Sequence, residues 1–326
     1  MGERCPGVAG SSRSSDRCRY PQVDERRTAQ GDGHLSDHRF VIDPPEMHQP
    51  HLVVMLTGWI DASGAGAAAM EALESDCDAR PLVSFDDDLY IDYRARRPRL
   101  ELRSGVSTRL VWSSPELLHG RDSNGADVLL LHGPEPDMAW HRFAATVAGL
   151  AEQFGVRTMS SLGAYPFATP HTRPATISTT SPSRDVVSSL GFRVSSIDVP
   201  AGVAATIEQT THDRGIRSVG IWAQVPHYVA AMSYPAASVA LLDALELVTG
   251  IAVPARDLRR EMVLQRERLD RLIESNDEHR EMLARLEQAF DDNGNDTNVV
   301  VLSDELELRS GEELADEVER FLRDHP

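Results

Sequence analysis

Residues 158–174 read Thr158-Met159-Ser160-Ser161-Leu162-Gly163-Ala164-Tyr165-Pro166-Phe167-Ala168-Thr169-Pro170-His171-Thr172-Arg173-Pro174, and this stretch decides the fold. The run Val156–Leu162 predicts a short buried strand. It gives way to a loop that gathers a glycine, a tyrosine, spaced prolines, a histidine and an arginine. Glycine frees the backbone, while proline fixes φ and removes a donor. Stiff loops at strand ends are where α/β proteins present recognition groups.

Outward from there the chain alternates. Strands are predicted at His51–Leu56, Pro81–Phe85, Ala126–Leu131, Ala175–Thr180, Val194–Val199 and Ile216–Ala223, with a hairpin over Leu100–Trp112 around Gly105. Asp86–Pro98 reads as a charged loop. Helices are predicted at Ala65–Leu73, Asp137–Phe154, Gly202–His212 and Pro235–Thr249, the last with proline in its first turn. Such alternation implies an α/β protein: a three-layer α/β/α core around a mostly parallel sheet. Beyond Pro254 only helical patterns follow. Leu258, Met262, Leu269, Leu272 and Ile273 form one stripe, and Met282, Leu283, Leu286 and Phe290 a second. Ser275 with Glu278 reads as a capping box, and Glu267–Arg271 and Glu281–Arg285 stand at i,i+4. The organisation is therefore a disordered leader (1–38), an α/β core (39–253), a helical subdomain (254–290), a linker (291–309) and a C-terminal helix (310–326). That last helix carries Leu314, Val318, Phe321 and Leu322.

Composition excludes several chemistries. Net charge is −18, concentrated toward the C-terminus, which argues against nucleic acid and for a basic protein partner or plain solubility. All 33 basic residues are arginine, so no lysine Schiff base, lysine general base or phosphate-loop lysine can exist. No apolar run is long enough to span a bilayer. Cys5, Cys18 and Cys77 lack metal spacing and fit a reduced cytoplasm. No cofactor and no metal is expected.

Five segments carry candidate groups. Gly58, Trp59 and Asp61 follow the first predicted strand: Trp59 forms a ligand wall or plugs the core, and Asp61 accepts from a ligand or, like Ser63, caps the next helix. Gly64-Ala65-Gly66-Ala67-Ala68-Ala69 fits G-x-G-x-x-A with Asp86 beyond, but seven residues separate its first glycine from the strand. Close helix–sheet packing explains it better than a dinucleotide site. Glu135, between two prolines, binds a ligand amine or hydroxyl, or caps a turn. Tyr165, His171 and Arg173 bind an anion, or Arg173 clasps an internal acid between parts of the chain. Gln224, His227 and Tyr228 end the strand at Ile216–Ala223. Strand-end segments of a parallel sheet converge on one edge, so a shared pocket is expected. No serine sits in a G-x-S-x-G frame and no H-E-x-x-H or C-x-x-C occurs. Catalytic residues stay unassigned.

Together Gly58-Trp59-Ile60-Asp61, Gly133-Pro134-Glu135-Pro136 with Trp140, Leu162-Gly163-Ala164 leading to Pro170-His171-Thr172-Arg173-Pro174, and Val225-Pro226-His227-Tyr228-Val229 resemble the proteasome assembly chaperone 2-like family, in its actinobacterial branch. Val253-Pro254-Ala255-Arg256-Asp257-Leu258, the helix from Asn276 to Glu287 and Glu319-Arg320-Phe321-Leu322 extend the likeness over roughly residues 40–326. The resemblance implies a core similar to the nucleoside phosphorylase fold, self-association into a homo-oligomer such as a trimer, and a non-enzymatic assembly or binding role with a protein partner. The alternative it leaves is an enzyme or sensor for a nucleoside-like or anionic small molecule. Archaeal assembly factors dock through a C-terminal hydrophobic-Tyr-any tripeptide; this chain ends Asp324-His325-Pro326.

Overall fold

The run His-Leu-Val-Val-Met-Leu-Thr at residues 51–57 is rich in β-branched and apolar side chains, and it forms the central strand of the sheet. The structure, a computed structural model, describes residues 37–194 and 196–293. In chain order these hold β1 (His38–Phe40), β2 (His51–Thr57), α1 (Ala65–Asp76), β3 (Arg80–Phe85), α2 (Asp87–Tyr90), β4 (Arg99–Arg103), β5 (Val106–Val111), β6 (Glu116–Arg121), β7 (Asp127–Pro134) and α3 (Trp140–Gln153). There follow β8 (Thr158–Phe167), β9 (Ile177–Thr180), α4 (Arg184–Leu190), α5 (Val203–Asp213), β10 (Arg217–Pro226), α6 (Pro235–Thr249), α7 (Arg256–Glu274) and α8 (Asp277–Asn293).

Eight strands form one sheet in the order β1-β3-β6-β7-β2-β8-β10-β9, and β4–β5 form a separate hairpin. The four central strands β7, β2, β8 and β10 run parallel. Every outer pairing, namely β1–β3, β3–β6, β6–β7 and β9–β10, is antiparallel. The expectation of a mostly parallel sheet is thus corrected to a mixed one. Parallel strands need a long crossover, which α3 supplies between β7 and β8, whereas β6 folds straight back onto β7 through a short turn and so pairs antiparallel.

Side chains of the central strands alternate between two cores, as period-2 geometry requires. Val53 and Met55 face α1, α6 and the first residues of the helical tail. Leu52, Val54 and Leu56 face α3 and α5. Both faces are therefore covered, which is why these strands read as continuous apolar runs. Helix α7 packs on α6 and α8 on α7. Among the described residues no helix is long and apolar enough to cross a membrane.

Several boundaries differ from the sequence reading. β8 continues to Phe167 because Gln224 to Pro226 of β10 pair with Tyr165 to Phe167, so the glycine and first proline of the expected loop are strand. Val194 and Ser196–Val199 carry no regular structure, and Ile197 and Val199 lie exposed. β6 has no counterpart among the predicted strands, and its glycine, Gly120, is a residue type disfavoured in strands. It is there because a methyl group at that position would lie 2.5 Å from the Cys77 carbonyl oxygen. β1 and α4 are likewise unpredicted, and a short helix, α2, opens the stretch read as a charged loop. Helix α8 is capped by Asn276, whose side chain accepts from the Glu278 and His279 amides, not by Ser275. Asp291 to Asn293 prolong α8 into the first residues read as linker. The remainder of that linker, the C-terminal helix and nearly all of the leader lie outside the described residues.

Candidate functional site

The parallel register brings the strand ends together. Thr57 lies opposite Pro134, and Pro226 opposite Phe167. The four strand-end segments, after β2, β7, β8 and β10, therefore leave the sheet at one edge. Their side chains fall into three groups along it.

The first group follows β2 and β7. Strands β2 and β8 pair only as far as Val54–Ser161, and the chain after β2 fills the gap, touching β8 again at Asp61–Ala164. Asp61 caps α1: its carboxylate accepts from the amides of Gly66 at 2.7 Å and Ala67 at 3.1 Å. Burial pushes its pKa up, and these two bonds pull the other way. The helix end that could have held a ligand anion thus already holds this chain's own carboxylate. Asp61→Ala should destabilise the fold by about 1–2 kcal/mol. An unchanged denaturation midpoint would remove the capping role.

Glu135 donates its amide to the Thr57 carbonyl at 2.7 Å, and its carboxylate accepts from the Val203 amide at 3.2 Å, at the start of α5. Gly58 has φ +120°, and a side chain there would meet Arg96 at 3.0 Å and Glu135 at 3.2 Å. Trp59, 43% exposed, lies against Gly202, where a methyl group would come within 2.9 Å of the indole. Arg96, unremarked in the sequence, is held by Asp137 at 2.8 Å. A half-open aromatic wall and a carboxylate therefore meet the start of α5, with the Arg96 guanidinium beside Gly58.

The second group lies on the α5 face of β8 and β10. Gln224 donates to the Tyr165 hydroxyl at 3.0 Å, and that hydroxyl also contacts Ser178 at 3.2 Å. Below them the Trp222 ring covers Gly163, where an added methyl would meet it at 2.4 Å. Beside it lies Glu208 of α5, buried and hydrogen-bonded to Thr180; burial raises its pKa to about 7. The folded state thus keeps a proton that the unfolded chain releases near pH 4.5, so this group costs stability as pH rises from about 4.5 toward 7. Glu208→Gln should therefore gain on the wild type across that window. A pH-independent difference between the two unfolding free energies would refute the assignment.

The third group is a clasp. The His171 side chain is fully buried. The Tyr228 hydroxyl accepts from the His171 amide at 2.8 Å and meets His171 Nδ1 at 2.8 Å. A hydroxyl already accepting that amide donates its own hydrogen to Nδ1, which leaves Nε2–H to donate to Asp270 Oδ1 at 3.1 Å. The neutral ring satisfies every bond, and burial lowers the His171 pKa against the pull of Asp270. The Asp–His–hydroxyl order is that of a nucleophile relay, but burial holds the Tyr228 phenol up at about 12, so it stays protonated. Next along the loop Thr172 donates to Glu287. Arg173 grips Asp291 through two bonds of 2.8 and 2.7 Å and reaches Glu287 at 3.2 Å. The acids come from α7 and α8, so of the two readings open for Arg173 the geometry shows the internal clasp. His227 is exposed and edge-on to Tyr228. Asp270, Glu287 and Asp291 could not be assigned from sequence, because they lie about a hundred residues from their partners among many similar acids.

A family model described as the PAC2 family matches residues 55–273. A Corynebacterium glutamicum protein of unknown function is 30% identical, with TM-score 0.73, over 79% of this chain and 98% of its own. A Mycobacterium tuberculosis protein of unknown function is 32% identical, with TM-score 0.73, over 81% and 94%. A M. tuberculosis proteasome-assembly chaperone homologue is 32% identical, with TM-score 0.66, over 72% and 99%. Among curated proteins none matches.

Proposed function

The chain belongs to the PAC2 family, and from that premise we propose that it is a non-enzymatic assembly or binding scaffold that self-associates and holds a protein partner. One observation carries this reading: the polar groups best suited to chemistry are committed to the fold itself. Asp61 caps α1, Glu135 holds α5, and His171 and Arg173 fasten α7 and α8. The name of the M. tuberculosis homologue, a proteasome-assembly chaperone homologue, points the same way. Affinity capture from a native lysate followed by mass measurement tests it. A stoichiometric complex of fixed mass is expected; a clean homo-oligomer that retains no partner would overturn it.

A second reading is favoured by the group around Trp59. An indole 43% exposed beside Glu135, Arg96 and the start of α5 suits a nucleoside-like or anionic ligand on a phosphorylase-like core. A thermal-shift screen of nucleosides, nucleotides and phosphates decides it. A rise of several degrees that Trp59→Ala abolishes supports the reading, and no rise at millimolar ligand removes it.

A further inference from the structure

The β4–β5 hairpin turns its apolar face to solvent. Leu100 pairs with Leu110 across it, Leu102 continues that face, and Trp112 stands two residues past Leu110. All four are 46–54% exposed. Among the described residues both outer edges of this two-stranded sheet are open. Two strands alone are marginal in water; a third strand or a covered apolar face is needed. The opposite face carries Arg99, Arg103 and Arg109, with Glu101 the one acid among them. Arg99 at 3.7 Å and Arg103 at 3.8 Å share Glu101, and Arg109 pairs with no carboxylate among the described residues. The base of the hairpin is fixed. Tyr93 packs edge-on against Trp112 with ring centroids 4.8 Å apart, and Asp137 holds Arg96. β3 is antiparallel to β6 and β6 to β7, so the hairpin springs from the sheet edge where β7 ends.

We propose that β4 is the docking edge for an acidic partner protein, which adds an extended segment of alternating apolar and acidic residues as a third strand. This rests on the partner-holding role proposed above, and gives it a surface and a chemistry. Strand addition to an open edge is a recurrent recognition mode. Period-two geometry lays the segment's apolar residues beside Leu100 and Leu102 and its carboxylates beside Arg99 and Arg103. Those two arginines share one glutamate, so incoming carboxylates meet positive charge in surplus. The net charge of −18 favours basic partners over the protein as a whole; this hairpin selects the opposite sign. Other occupants match the surface less well. Among the described residues a second copy offers β1, β9, β4 and β5 as edge strands, and these hold a single acid, Glu101. A bilayer would take two open backbone edges into hydrocarbon, where nothing satisfies them. A nucleic acid matches the arginines but not the leucines.

Fluorescence anisotropy on the full chain tests the proposal, with a labelled, end-capped peptide that alternates leucine and glutamate as the probe. Saturable binding is expected, and Arg99→Glu/Arg103→Glu should weaken it at least about tenfold. Both arginines are exposed, so the double variant keeps the fold. It should bind instead a peptide alternating leucine and lysine, which the wild type refuses; that exchange excludes misfolding as the cause. The leucine–glutamate peptide N-methylated at every residue should lose binding, because strand addition needs its amides. Absence of binding by the acidic peptide overturns the proposal, as does binding that the variant or the N-methylated peptide retains. Tighter binding of a single-stranded oligonucleotide or of phosphatidylglycerol vesicles overturns it too. So does a homodimer that Arg99→Glu/Arg103→Glu dissolves, which would assign the edge to a second copy. A partner recovered from lysate equally by wild type and variant would remove this surface while leaving the scaffold reading in place.

Discussion

Gly133→Ala should cost about 2–6 kcal/mol, combining backbone strain of about 1–3 kcal/mol with overpacking of about 1–3 kcal/mol. Gly133 has φ +107°, and a methyl group there would lie 2.5 Å from the Ser114 carbonyl oxygen and 2.9 Å from Pro115 Cα. Both obstacles are backbone, so no rotamer change relieves them. The residue sits near the end of β7, where the chain turns to deliver Glu135 to the first turn of α5. A single-domain protein of ordinary stability would lose a large share of its margin. Urea denaturation checks this directly. A variant with the wild-type midpoint would show that β7 can shift away from residues 114–115, and the rigidity argued for this edge would be wrong.

Tyr228→Phe should cost roughly 2–4 kcal/mol. It strips both the His171 amide and Nδ1 of their partner in a fully buried position, and each unsatisfied group costs about 1–3 kcal/mol. The loss should be local as well as global: α7 and α8 hang on this loop through Asp270, Glu287 and Asp291, so their amides should exchange faster while the central strands keep their order of protection. Acid should produce a milder version in the wild type. The His171 pKa is lowered in the fold, so the clasp is unaffected above about pH 6.5. Stability is lost as pH falls from there toward the folded value, because the unfolded chain takes the proton first. Helical amides of α7 and α8 that exchange at wild-type rates in the Tyr228→Phe chain would sink the clasp.

Legibility from sequence followed the range of the interactions. β2, β7 and β10 were readable because burial on both faces leaves unbroken apolar runs, and α1, α3, α5 and α6 because their patterns are local. β6 was not: Gly120 is a residue type disfavoured in strands, and the Cys77 carbonyl that requires a glycine there is brought in only by the fold. The loop from Tyr165 to Arg173 was recognised as special, but its chemistry was not. Nothing local distinguishes an arginine that binds a ligand from one that binds Asp291.

What the sequence determined by itself is the central framework, namely β2, β7, β8 and β10 with α1, α3, α5 and α6, and the gathering of four strand ends on one edge, since hydrophobic period and turn residues act over a few positions. Tertiary structure alone decided the antiparallel flanks, the committed roles of Asp61, Glu135 and His171, and the exposure of the β4–β5 leucines. Each of these depends on which distant backbone amide, carboxylate or apolar surface comes to lie within about 3–4 Å, and such proximity is a property of the folded chain.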